Sequence, residues 1–120
     1  MDTIYYMLTR DSPIGHFHMN QSDVVHFFHV GSPLRYTLIH PDGQVENFHL
    51  GPDPAQGRFL QRVVPAGWWK ATELCCGEFG LISEAVTPSF RPEDRTIATR
   101  RQLEQLFAGL DPKLLDLACE

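Results

Sequence analysis

The chain has 120 residues, an ordinary apolar fraction and a formal net charge of −5, which fits one soluble domain with one core. Lys113 stands alone and Arg100-Arg101 is only a pair, so there is no basic patch for a nucleic-acid backbone. No stretch approaches the roughly 18 apolar residues of a membrane span, and Met1-Asp2-Thr3 does not open a signal peptide, so the expected location is the cytoplasm.

Ile4 to Thr9 is rich in aromatic and branched side chains, a strand pattern. Asp11-Ser12-Pro13 makes a turn. Ile14 to His18 is a second strand, Asn20 to Asp23 a turn, and Val24 to Val30 a third strand. Four of the six histidines fall between Ile14 and Gly31. Alternate side chains of a strand share a face, so His16 and His18 point the same way. Val24, His26 and Phe28 share a face of the next strand. If that face meets the first pair, His16, His18 and His26 converge on one point, an arrangement suited to a divalent transition metal with open coordination positions. The alternative is a set of ordinary histidines, each hydrogen-bonded in a half-buried sheet.

Gly31-Ser32-Pro33 ends the third strand. Leu34 to His40 forms the fourth, and Pro41-Asp42-Gly43 turns it back into a fifth from Gln44 to Leu50. Arg35 and Tyr36 fall on opposite faces. A loop from Gly51 to about Arg58 leads to a sixth strand, Phe59 to Val64. Pro65-Ala66-Gly67 is a tight turn before a seventh, Trp68 to Leu74, and Phe79 to Thr87 is the eighth. Eight short strands bounded by Gly, Pro, Asp or Asn point to an all-β sandwich or barrel. After Pro88 the pattern becomes helical. Thr99 is a candidate N-cap, Leu103, Leu106, Phe107 and Leu110 recur at helical spacing, and Gly109 is a stop. Asp111-Pro112 starts a second short helix. The three cysteines, Cys75, Cys76 and Cys119, form no disulfide framework and read as reduced, inert thiols. His29, His40 and His49 read as surface or strand-end histidines, and Asp23 as a turn residue.

Taken together, several segments resemble the cupin superfamily, and more closely its DUF985 (cupin-5) branch. They are Ser22-Asp23 leading into the aromatic strand that ends at Gly31, Pro33-Leu34, Pro41-Asp42-Gly43, Leu50-Gly51-Pro52-Asp53, Val63 to Gly67 with Trp69, and Val86-Thr87-Pro88 with Phe90. The resemblance covers nearly the whole chain. It implies one cupin domain over 1–120: a small double-stranded β-helix, or jelly-roll barrel, over 1–90 and a helical tail over 91–120. It further implies a small-molecule pocket, and a homodimer lacking the branch's usual N-terminal segment. Metal-binding cupins carry His-x-His, a glutamate and a later histidine. His16-Phe17-His18 matches the pair. The glutamate position is Val24 and the later histidine is Lys70, so a metal site would have to recruit His26.

Lys70 falls on the expected inward face of the seventh strand, where it holds a substrate anion or moves a proton, or else pairs at the rim with Glu73 or Glu84. Glu84 interrupts an apolar strand, as the missing carboxylate of the metal site, a general base, or an outward-facing strand residue. Tyr36, Phe28, Trp68 and Trp69 are candidate substrate contacts, with one tryptophan expected inside and the other outside. Three functions compete. The first is a metal-dependent isomerase, lyase or cyclase using His16, His18 and His26, with Lys70, Glu84 and His26 moving protons. The second is a metal-free enzyme resembling cupin sugar epimerases. The third is a non-catalytic module for a small ligand. No organic cofactor is expected.

Overall fold

The computed structural model describes residues 1–88 and 91–119. Phe90, one of the residues that carry the resemblance, lies outside them. Alternating apolar and polar side chains fold the chain into two antiparallel sheets. The first has the order β1 (Asp2–Thr9), β8 (Phe79–Thr87), β3 (Asp23–Gly31), β6 (Gln61–Val64). The second has the order β5 (Val45–Leu50), β4 (Leu34–Ile39), β7 (Trp69–Leu74), β2 (Ile14–Asn20), β9 (Arg95–Ile97). Eight strands match the expected ones in order, though β6 begins at Gln61, two residues late. The ninth, β9, was not legible: three exposed residues carry no pattern, and only pairing with β2 makes them a strand.

Leu8 from the first sheet packs with Val64 and Ile82 against Leu34, Tyr36, Leu38, Phe48, Leu50 and Leu74 of the second, forming the core between the sheets. The opposite face of the second sheet is also apolar. There Phe17, Ile39, Trp69 and Ala71 lie under Leu103, Leu115, Leu117 and Ala118 of the tail. That second core explains why β4 and β7 read as near-continuous apolar runs: both of their faces are covered.

The tail is held by its caps. Helix α1 (Arg100–Leu106) starts at Thr99, whose hydroxyl accepts from the Gln102 amide while the Gln102 side chain accepts from the Thr99 amide. That reciprocal box satisfies two helix-end donors. The helix stops at Leu106, before the Gly109 expected to end it. Helix α2 (Pro112–Leu115) is capped by Asp111. Thr99→Ala is expected to cost about 1 kcal/mol. Thermal melting checks this; a shift of roughly 4 °C is expected for a domain of this size.

Candidate functional site

A cavity of about 380 Å³ lies between the sheets, walled by β1, β2 and β9 on one side and floored by β3, β4, β7 and β8. Register assembles it. His26 of β3 pairs directly with Glu84 of β8, and His18 of β2 pairs directly with Lys70 of β7. Side chains at directly opposed positions stand close together on one face. Each sheet therefore presents one such pair inward, and Lys70 reaches across the gap. Its Nζ lies 3.1 Å from His26 Nε2 and 3.3 Å from Glu84 Oε1. His26 Nε2 is 3.7 Å from the same carboxylate oxygen. The Tyr36 hydroxyl lies 2.8 Å from His26 Nδ1, with the two rings edge to face.

These groups are dry. His26, Tyr36 and Lys70 are buried, and Glu84 is nearly so. An ammonium group can only donate. With Lys70 charged, His26 Nε2 therefore accepts, and Nδ1–H donates to the Tyr36 oxygen. Burial pulls the Lys70 pKa below its ordinary value, against the charge and hydrogen bond of Glu84. Burial, then Lys70 and His18, hold His26 well below the usual histidine range. Burial and Lys70 lower His18 to about 4, with the His16 carbonyl opposing. Burial pushes Tyr36 well above the ordinary phenol value, and Glu84 and Tyr6 add to it. Tyr6 is likewise raised, chiefly by burial. At neutral pH His18 and His26 are neutral imidazoles and Tyr6 and Tyr36 neutral phenols, set around the Lys70–Glu84 salt bridge.

The depressed histidines set a pH dependence. Below the unfolded histidine value of about 6.5 the unfolded chain takes up protons that folded His18 and His26 refuse. Stability is therefore complete above that value and falls as pH drops towards 4, the folded His18 value. Melting curves between these limits should show the decline, and His18→Gln should flatten it.

The predicted metal triad does not assemble. His16 and His18 both face the cavity, as alternation along β2 predicts, even though a bulge between Gly15 and His18 interrupts the β2–β7 register. His16 is exposed, and its Nδ1 lies 3.3 Å from the Leu117 carbonyl. His18 Nδ1 donates to the His16 carbonyl at 2.9 Å. Both line the cavity, but among the described residues no three His, Cys, Asp or Glu side chains are placed to hold an ion. Lys70 stands between His26 and Glu84, where its charge repels a cation, and both ring nitrogens of His26 are engaged. This donor set does not fit a metal.

Other candidates are also redistributed. Glu84 faces inward, not outward. Tyr36 is the inward member of the Arg35–Tyr36 pair. Neither tryptophan lines the cavity: Trp69 is in the core under the tail, and Trp68 packs beside the inter-sheet core and stacks on His40. Phe28 packs against the inter-sheet core instead of the cavity wall. His29 and His49 are exposed as expected, while His40 is half-buried and bonded to Glu46. Asp23 accepts from the Ala66 amide at 2.8 Å, tying two turns together. Cys75 and Cys76 are exposed, but Cys119 reaches the cavity wall.

Sequence reading missed Tyr6 and Thr72, which meet by a hydrogen bond in the wall. Thr72 follows Lys70 by two residues, so alternation alone could have found it. Gly15 makes room for both. A Cβ there would collide with Thr72 Oγ1 and the Tyr6 hydroxyl. Arg95 of β9 lines the rim and was missed with its strand.

Residues 1–98 match the family described as the cupin superfamily (DUF985). The protein YML079W of Saccharomyces cerevisiae is 47% identical over 97 residues, covering 78% of this chain and 48% of that protein. The chain thus spans about half the length of this curated relative. A hypothetical protein from Leishmania major superposes with a TM-score of 0.91 at 27% identity, over 98% of this chain and 76% of the other. A dTDP sugar isomerase from Desulfovibrio desulfuricans superposes with a TM-score of 0.73 at 14% identity, over 96% and 74%, a likeness of fold alone. Two facing antiparallel sheets around one cavity, with a family match that spans residues 1–98, establish that the chain belongs to the cupin superfamily, in its DUF985 branch.

Proposed function

We propose that the cavity is the active site of a small-molecule enzyme that moves a proton on a carbonyl compound without a metal, an isomerase-type reaction. The contact of Lys70 Nζ with both His26 Nε2 and Glu84 Oε1 at the cavity floor carries this reading. The volume suits a small metabolite. An imidazole kept neutral by burial is unprotonated over a wide pH range, and Nε2 can take a proton from carbon once the Lys70 ammonium turns from it to the substrate oxygen. A lysine cation fixed beside it stabilises the oxyanion that forms when a proton leaves the neighbouring carbon. Glu84 returns or removes the second proton. Tyr6, kept neutral, donates to a substrate oxygen. Ile4, Ile14, Ile82 and Ile97 supply apolar wall. The reaction class rests on these side chains and not on the fold shared with the sugar isomerase.

The test is solvent exchange. Purified protein is incubated with hydroxy-aldehydes, hydroxy-ketones and keto acids in deuterium oxide and followed by proton NMR. Deuterium should enter at the carbon next to the carbonyl, with or without chelator. Exchange abolished by chelator and restored by a divalent ion would favour the metal-dependent reading. Saturable binding with no exchange would favour a binding module.

A further inference from the structure

We propose that Lys70 is a nucleophile that forms a Schiff base with an aldehyde or ketone substrate in this cavity. The inference rests on the reading of the cavity as a carbonyl-handling site, and it makes the chemistry covalent. Three observations carry it. The Lys70 side chain lines the cavity and is 3% exposed, so it meets small molecules and little bulk water. A carboxylate oxygen lies 3.3 Å away and can take its proton. An imidazole nitrogen lies 3.1 Å away on the other side and can take a proton from carbon. A desolvated lysine is the usual means of keeping an amine reactive near neutral pH.

The steps balance. Lys70 gives a proton to Glu84, leaving a neutral amine and a carboxylic acid. The nitrogen lone pair attacks the carbonyl carbon; the π pair moves to oxygen, which takes the proton lost by nitrogen. The carbinolamine then breaks its C–O bond, and Glu84 protonates the departing hydroxyl as water. The product is a protonated imine beside a carboxylate, with the same net charge as the starting ion pair. His26 Nε2 can then remove the proton on the adjacent carbon, since the imine nitrogen accepts the electron pair. Reprotonation and attack of water reverse the sequence and release the product.

The chain offers an internal control, because Lys70 and the exposed Lys113 are its two lysines. The intact protein is treated at pH 6 with formaldehyde, a probe small enough for any opening, and with dihydroxyacetone, each with cyanoborohydride. Peptide mass mapping then compares the two sites. Lys70 should be reductively alkylated several-fold faster than Lys113, because burial favours its free amine. Labelling of Lys70 no faster than Lys113 would overturn the proposal. If deuterium exchange proceeds while Lys70 stays unlabelled, the covalent route fails and the proton-transfer reading stands. If Lys70 is labelled but no compound exchanges, the nucleophile stands and the isomerase reading falls.

Discussion

His26→Gln is expected to lower solvent-deuterium exchange by between about 100-fold and 10,000-fold, the usual contribution of a positioned general base. The loss is large because Glu84, the other base at the cavity floor, handles the second proton. Among the described residues, the imidazole touching both Lys70 and Tyr36 is His26. His18 sits on the opposite sheet with its Nδ1 bound to a backbone carbonyl. Glutamine keeps a polar group beside Tyr36, so folding should survive and the loss should appear as a rate effect. Melting temperature and circular dichroism, measured beside the exchange rate, separate the two. Exchange within a few-fold of the parent would remove His26 from the reaction.

Lys70→Met is expected to destabilise the protein by about 3–5 kcal/mol, because it leaves the Glu84 carboxylate in a dry site without its cation. The side chains of the pair are 3% and 11% exposed, so solvent screens them little. For a domain of this size the loss corresponds to a drop in Tm of roughly 10–20 °C. Adding Glu84→Leu should recover most of it, since a buried ion pair replaced by apolar groups is often close to neutral. The double variant should be stable and inactive. That combination would show that the pair serves chemistry more than stability. A single variant as stable as the parent would mean that water reaches Glu84 freely.

The strand pattern made most of the architecture legible. Period-two alternation and the turns at Pro41-Asp42-Gly43 and Pro65-Ala66-Gly67 put eight strands in order. Thr99 and Asp111 marked both helix starts, because capping is a local matter of one side chain and nearby amides. Alternation along β7 and β8 also explains why Lys70 and Glu84 were legible as possible pocket residues. The same rule correctly put His16 and His18 on the cavity side, but it failed to say whether His26 on the other sheet comes within reach of them. It failed for the tryptophans for a different reason. Alternation says that Trp68 and Trp69 face opposite ways, but not that the outer face is buried under the tail.

By itself, the sequence determined the all-β class, the strand order along the chain, the capped helical tail and the identity of the two charges set into apolar strands. These depend on contacts between near neighbours, which periodicity and turn chemistry record directly. Which groups meet was decided only in three dimensions. Glu84 is 58 positions from His26 and Lys70 is 44 from it, and nothing local relates them. Strand pairing sets His26 opposite Glu84 and His18 opposite Lys70, and the stacking of one sheet on the other closes the gap between the two pairs. A lysine thereby stands where the histidine pattern alone had pointed to a metal ion.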